Sequence, residues 1–187
     1  MRYEITLLNK KSLGTVVERL LEESNGFPNA FSHMTIHEWY SDIIKIVTLF
    51  DLEHSIDELR KTALNFAKFV KMKILSPSDI QLCTELLYKK NNDYAGDGDM
   101  LNNFLQPALI MGVRYHNKLV FTKKTAEIIV HGFISRIGDK VSRILTLYKA
   151  SATRKVSDET LEDTKRDLFN YLLLFVSFLD RLELHPE

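Results

Sequence analysis

The chain contains few of the residues that form disulfides or interrupt helices. Cys83 is the only cysteine in 187 residues, so no internal disulfide can form and a reducing compartment is expected. Glycine occurs 7 times and proline 4 times, which leaves few positions that break a helix. This composition predicts an all-α fold, a helical bundle with short loops and little room for strands.

Net charge and long apolar runs are also missing. The 25 basic residues balance the 25 acidic residues, so no overall field attracts nucleic acid or an anionic membrane. The longest apolar stretch, 171–179, is much shorter than the roughly 20 residues that cross a bilayer, and it predicts a buried core helix. The N-terminus also lacks a basic segment followed by an apolar signal core. We therefore expect a cytoplasmic protein whose partners include neither a membrane nor a nucleic acid.

The whole chain, 1–187, is expected to form a single helical domain. Its length is that of one domain, and 45% hydrophobic residues are enough for a sizeable core. No repeat, low-complexity tract or linker marks a boundary. Within this domain, 1–75 contains helices without an assigned role, and 76–187 contains the candidate functional residues.

Capping signals predict where several helices begin. Thr35 and Ser55 are each followed three residues later by a glutamate, which is the pattern of a capping box. The helix that opens at Ser55 should end near Leu75. Ser76 can then cap another helix that carries Asp79 in its first turn, where the helix dipole favours negative charge.

Two long helices are expected at the C-terminal end. One runs from about 124 to 149, and the other runs from a cap at Ser157 to about 184. Because a connection of modest length joins them, they should pack side by side and antiparallel. The remaining pieces are a short helix at 16–23, a strand or coil at 3–8, a long irregular loop at 91–103, a short apolar run at 104–113 and a loop or brief extended piece at 114–122.

An acidic edge in the first turns of the last helix is the most unusual feature. Asp163, Asp167 and Asn170 are three and four residues apart, so they share one helix face. Beyond Asp167 the helix is apolar nearly all round, and a carboxylate entering such a region is costly unless it is paired or binds a metal. Two interpretations remain open: a metal-binding edge, or acids that only complement the helix dipole.

The preceding long helix carries a polar stripe of Arg136, Asp139, Lys140 and Arg143. In one interpretation the stripe is a solvated face in which Asp139 pairs with Arg143, four residues on. In the other, Asp139 faces the acidic edge across the helix pair, and the three basic side chains receive phosphate oxygens. The stripe alone favours the solvated face.

Three segments together resemble the nucleotide-modification-associated domain of phages and bacteria, and they cover roughly the C-terminal half of the chain. The segments are Lys90-Asn91-Asn92-Asp93-Tyr94, then Arg136-Ile137-Gly138-Asp139-Lys140 with Arg143, then Glu162-Asp163-Thr164 followed by Asp167-Leu168 and Asn170-Tyr171. The helical pattern of that family is in turn similar to the all-α nucleoside triphosphate pyrophosphohydrolases, the MazG and dimeric dUTPase group.

This resemblance implies a magnesium-dependent hydrolase of nucleoside or deoxynucleoside triphosphates, serving nucleotide-pool control or nucleotide modification in a phage or bacterium. Asp139, Asp163 and Asp167 would hold Mg²⁺, for which Mn²⁺ could substitute. Glu162 would orient the attacking water, and Lys140 would offset charge on the transferring group. The residues expected to contact the nucleotide ligand are Asn91, Asp93, Tyr94, Arg136, Arg143, Asn170 and Tyr171.

The chain departs from the pyrophosphohydrolase pattern at the first metal-binding helix. That helix usually carries two glutamates three residues apart, whereas here Asp139 is followed by Lys140. A non-catalytic helical protein that binds a nucleotide or a host factor is therefore the alternative. Because the pyrophosphohydrolases form dimers or tetramers, the resemblance also implies a homo-oligomer.

Overall fold

The computed structural model describes residues 1–8, 10–26, 33–94, 102–152 and 158–186, with the backbone alone at some positions near the helix ends. Helices make up most of this part of the chain. They are α1 (Lys10–Glu23), α2 (Ile36–Leu49), α3 (Leu52–Phe69), α4 (Pro77–Tyr94), α5 (Asn102–Met111), α6 (Lys123–Ala152) and α7 (Asp158–Arg181), with a π-helical segment at Val70–Ile74 between α3 and α4.

A small antiparallel sheet accompanies the helices, so the all-α prediction is wrong in this respect. Its strands are β1 (Arg2–Thr6), β2 (Val113–Tyr115), β3 (Lys118–Thr122) and β4 (Leu182–Leu184), in the order β2-β3-β1-β4. The segments left open as strand or coil, and as loop or extended piece, are thus strands. The partners of β1 lie far away along the chain, with Tyr3 opposite both Phe121 and Leu184, and short-range periodicity carries no signal for such pairing.

Two of the predicted helix caps are confirmed. The Thr35 hydroxyl accepts a hydrogen bond from the Glu38 amide at 3.2 Å. The Ser76 hydroxyl accepts one from the Asp79 amide at 3.2 Å, while the Asp79 carboxylate accepts one from the Ser76 amide at 3.3 Å. In both cases side chains satisfy amides that the first turn of a helix leaves unpaired.

The prediction for Ser55 is wrong. Asp51 caps α3 instead, because its carboxylate accepts a hydrogen bond from the His54 amide at 3.0 Å. Ser55 therefore lies inside the first turn, where it is buried and its hydroxyl donates to the Leu52 carbonyl. An aspartate four residues upstream offers the same kind of acceptor, so the sequence contains two cap signals, of which the earlier one caps the helix.

Three other boundaries also differ from the expectation. The α-helix that was expected to end near 75 passes into the π-helical segment after Phe69, and α4 continues to Tyr94 instead of ending near 90. The apolar run at 104–113 is mostly helical, with Pro107 inside α5. The last helix ends at Arg181, because Leu182–Leu184 pairs with β1 as β4.

The two long helices pack against each other and run antiparallel, as predicted. Lys140 of α6 contacts Asp167 of α7, and Phe133, two turns earlier on α6, stacks on Phe175, which is later on α7. Phe133 also stacks on Phe104 of α5, with ring centroids 4.0 Å apart. These aromatic contacts place the part of α7 after Asp167, which is apolar nearly all round, at the centre of the core.

None of the described helices is long and apolar enough to span a membrane. The apolar stretch at 171–179 is instead buried throughout, apart from the half-buried Tyr171 at its start. The prediction that it forms a core helix is confirmed.

Replacing Gly112 with alanine is expected to lower the free energy of unfolding by about 1–3 kcal/mol. Gly112 lies between α5 and β2, and a Cβ there would stand 2.5 Å from the Ala108 carbonyl oxygen and 2.7 Å from that of Val120. Both atoms belong to the backbone, so neither can move without shifting an element. Urea denaturation followed by circular dichroism measures the change.

Gly132→Ala is the matched control for this prediction. Gly132 lies inside α6, and a Cβ there would meet no atom within 4 Å. Because alanine is favoured over glycine in a helix by up to about 1 kcal/mol, this variant should be as stable as the parent or more so. Equal stability of the Gly112→Ala protein and the parent would contradict the close approach at Gly112.

Candidate functional site

Facing side chains of α6 and α7 bring together three of the residues predicted from the sequence. The Lys140 ammonium nitrogen lies 3.1 Å from a carboxylate oxygen of Asp167, and both side chains are partly buried. The same nitrogen lies over the Tyr171 ring, 5.9 Å from its centroid. An ion pair beside an aromatic face can offer both charge and a stacking surface to a ligand.

Lys140, rather than Asp139, is the residue of α6 that meets the acidic edge. Asp139 is exposed and lies near Tyr40 of α2. The pKa of the Tyr40 phenol is raised first by burial and second by the negative charge of Asp139. Consecutive residues of a helix point about 100° apart, so the two side chains cannot face α7 together. Arg136 and Arg143 are also exposed on α6. The role of Asp139 as a metal ligand stays a prediction.

A second ionic cluster lies at the beginning of α7, one turn before Asp167. The Arg166 guanidinium contacts Asp163 on its own helix, and its other terminal nitrogen lies 2.7 Å from a carboxylate oxygen of Asp79 on α4. Asp79 and Arg166 are both largely buried, with side chains 8% and 14% exposed, whereas Asp163 is 59% exposed. Arg166 therefore links α4 to α7 from a largely buried position.

Glu162 lies at the edge of the same cluster. Its carboxylate accepts a hydrogen bond from Lys165 at 2.8 Å, and the Lys165 ammonium lies over the Tyr148 ring at 5.3 Å. Burial alone would raise the pKa of Asp79, but contacts with Ser76, with the Glu162 carboxyl and with Arg166 outweigh burial and lower it to about 2. Asp79 is therefore a permanent anion at neutral pH.

Asn170 is a buried polar residue of α7 whose side chain lacks a partner in the described ranges. The residue is 4% exposed, and neither the amide oxygen nor the amide nitrogen of its side chain has a hydrogen-bond partner among the described residues. It follows Asp167 by three residues, so it continues the helix face of the Lys140–Asp167 pair. A buried amide without partners costs about 1–3 kcal/mol for each group left unpaired, and such a group calls for an explanation.

The predicted loop contacts lie at the boundary of what the structure describes. Asn91, Asp93 and Tyr94 form the last turn of α4, where the backbone is helical and the side chains lie outside the described residues. Their proposed contacts with a nucleotide stay predictions.

The donor atoms of the site fit a hard divalent cation. Asp163 and Asp167 present carboxylate oxygens, which Mg²⁺ prefers, and this ion commonly uses only one or two carboxylates together with water and substrate phosphates. Within the described ranges, no group of three His, Cys, Asp or Glu side chains is placed to hold a metal. A site of this kind would therefore depend on the phosphates of a bound substrate.

Sequence reasoning missed Asp79, Lys165 and Arg166 as members of the site. Asp79 had a sufficient local explanation as a first-turn acid of α4, and its ion pair joins residues 87 positions apart. Arg166 had a local signal, because it follows Asp163 by three residues on a helix, a spacing that permits an ion pair. Nothing local indicated that it also reaches α4.

Comparisons with family models, curated proteins and solved structures give no match to this chain.

Proposed function

We propose that the protein is a magnesium-dependent hydrolase of nucleoside or deoxynucleoside triphosphates, similar to the nucleoside triphosphate pyrophosphohydrolases. The observation that carries the proposal is the amide of Asn170, which lies on the helix face of the Lys140–Asp167 pair and has no hydrogen-bond partner in the part of the chain that the structure describes. An amide offers one acceptor and two donors, which suits the edge of a nucleobase or a sugar hydroxyl. A ligand that pairs with it would supply the hydrogen bonds that the fold does not.

The charged groups of the site pair with one another, and in this proposal the same groups bind the metal and a phosphate. Lys140 neutralises Asp167, and Arg166 neutralises Asp163 on the exposed side of the cluster. With Mg²⁺ held by these carboxylates, Lys140 would be free to pair with a phosphate, since it is the more exposed cation of the two. Arg166 keeps its buried partner Asp79 and continues to hold α4 on α7.

The remaining residues have assigned roles in this proposal. Bound Mg²⁺ would polarise the phosphoryl group and help to generate hydroxide from water. Glu162 would orient that water, Tyr171 would stack on the base, and the exposed Arg136 and Arg143 would attract the triphosphate. We further propose that the protein is a cytoplasmic homo-oligomer that acts on the nucleotide pool or in nucleotide modification.

The direct test is pyrophosphate release from a panel of ribo- and deoxynucleoside triphosphates with and without Mg²⁺. Asp167→Asn should lower the rate by about 100-fold, because it removes a charge from the proposed metal site. Asp57→Asn, on the exposed side of α3, is the matched control and should leave the rate unchanged. If no nucleotide is bound or cleaved under any of these conditions, the proposal fails.

A non-catalytic nucleotide-binding protein is the second candidate. The feature that favours it is the absence of a glutamate pair on α6, where Asp139 is exposed beside Lys140. Isothermal titration calorimetry distinguishes the two functions, since nucleotide binding without any pyrophosphate release would select the second.

A further inference from the structure

Phe104 of α5 contacts the proposed hydrolase site, although the sequence assigned it no functional role. Its ring forms a T-shaped contact with the Tyr171 ring of α7, with centroids 5.8 Å apart and an interplanar angle of 79°. The Lys140 ammonium lies over the same Tyr171 ring, 5.9 Å from its centroid. The Tyr171 ring therefore contacts both a cation of the site and a second aromatic ring.

Phe104 is itself fixed to the aromatic core of the protein. Its ring stacks on Phe133, with centroids 4.0 Å apart and planes 5° from parallel. Phe133 is fully buried, and it stacks in turn on the fully buried Phe175 at 5.1 Å. Because core side chains are close-packed in their preferred rotamers, one face of the Phe104 ring lies against a rigid surface.

Tyr171 lies at the border between this core and the candidate site. It is half-buried, whereas residues 172–179 after it are buried. Asp167, one turn earlier on α7, pairs with Lys140, so the accessible part of the Tyr171 ring lies beside that ion pair. A T-shaped aromatic pair is favoured beyond the apolar area that it buries, and this preference depends on the angle between the rings. The contact with Phe104 therefore favours one orientation of Tyr171.

We propose that Phe104 is a positioning residue that holds the Tyr171 ring ready for a nucleobase, so that the site takes nucleotides of any base in preference to bare polyphosphates. This inference rests on the proposed hydrolase function. Every base has a π-face that can stack on an aromatic ring, so Tyr171 recognises the presence of a base more than its identity. Phe104 acts through Tyr171, because Phe133 already covers one face of the Phe104 ring.

Steady-state kinetics of Phe104→Leu test the specificity. Leucine keeps an apolar side chain but loses the flat ring, so Tyr171 must be ordered when the base binds. KM for ATP, GTP, CTP and UTP should each rise by about 3- to 10-fold, which is the cost of immobilising one side chain, and kcat should stay within about twofold of the parent. Inorganic triphosphate has no base, so it should inhibit the parent and the variant equally.

Aromatic ¹³C relaxation of the nucleotide-free protein tests the positioning separately from catalysis. Tyr171→Phe assigns the Tyr171 signal among those of the 7 tyrosines. The Tyr171 ring should have a high order parameter in the parent and in Phe104→Tyr, which keeps the ring, and a lower one in Phe104→Leu. Phe104→Tyr should also keep the parent KM. Phe69→Leu removes a ring from a different aromatic contact, with Trp39, and is the matched control for both measurements.

The two measurements distinguish a failure of this inference from a failure of the hydrolase function. A mobile Tyr171 ring in the parent, or equal order parameters in the parent and Phe104→Leu, would overturn the positioning role even if the protein cleaves nucleotides. Unchanged KM values in a folded Phe104→Leu protein, or an equal loss of affinity for inorganic triphosphate, would overturn the specificity. If the parent binds no nucleotide although its Tyr171 ring is held by Phe104, the hydrolase function fails and base recognition fails with it.

Discussion

Replacing Arg166 with alanine is expected to lower the free energy of unfolding by about 3–5 kcal/mol at pH 7. The substitution leaves Asp79, whose side chain is only 8% exposed, as a buried carboxylate without its cation. Ser76 still donates a hydrogen bond to Asp79, but a neutral donor does not replace a charge. Urea denaturation, followed by circular dichroism, measures the loss.

Two further variants show whether the loss comes from the buried charge. Asp163→Asn removes the other partner of Arg166, which is 59% exposed, and should change stability by less than about 1 kcal/mol. The double variant Asp79→Asn/Arg166→Ala should recover most of the loss, since it leaves no charge buried. If the double variant is as unstable as Arg166→Ala, the loss is one of packing.

The loss of stability in Arg166→Ala should become smaller as the pH falls. The pKa of Asp79 in the folded protein is about 2, below its usual 3.8, because its contacts with Ser76, Glu162 and Arg166 outweigh burial. Its stabilising contribution is thus present above pH 3.8 and lost as the pH falls towards 2. Without Arg166 the carboxyl protonates at a higher pH. The difference between the parent and Arg166→Ala should therefore shrink from pH 7 to pH 3.

Replacing Asn170 with leucine is expected to separate stability from function. Leucine removes two unpaired buried polar groups, so the variant should be as stable as the parent or more stable by about 1–3 kcal/mol. If Asn170 contacts the nucleotide, kcat/KM for triphosphate hydrolysis should fall by about 100-fold, as when one positioned donor is lost from an active site. Thermal unfolding and the pyrophosphate assay measure the two effects.

Asn117→Leu, in the exposed turn between β2 and β3, is the matched control and should change neither quantity by much. A stabilised Asn170→Leu protein that still cleaves or binds nucleotides normally would show that the amide has no ligand role. A strongly destabilised one would show that the amide is satisfied in solution, for example by a buried water.

The helices show what local sequence can specify. Thr35 and Ser76 mark helix starts because a cap and its amide lie three residues apart, and both predictions were correct. The prediction that Ser55 caps a helix is wrong for the same reason, because Asp51 presents an equally good local signal. The strands had no comparable signal, since each is only three to five residues long and β1 pairs with the distant β3 and β4.

The candidate site could also be predicted from the local sequence only in part. Asp167 and Asn170 could be assigned to one helix face from their spacing, and Lys140 could be assigned to the stripe on α6. That Lys140 rather than Asp139 meets Asp167 depends on how α6 is rotated about its axis against α7, which spacing does not fix. The Asp79–Arg166 pair depends on where α4 packs against α7, and the local sequence around either residue does not indicate the other.

The sequence by itself determined the helical character of the chain, the presence of its two long helices and the apolar helix at the centre of the core. These follow from periodicity and capping, which act between residues at most a few positions apart. The tertiary structure alone decided the pairing of β1 with β3 and β4, the partner of each charge and the burial of the Asn170 amide without a hydrogen-bond partner in the described part of the chain. Those features depend on packing between distant segments, because an unpaired polar group is defined by everything that surrounds it in space.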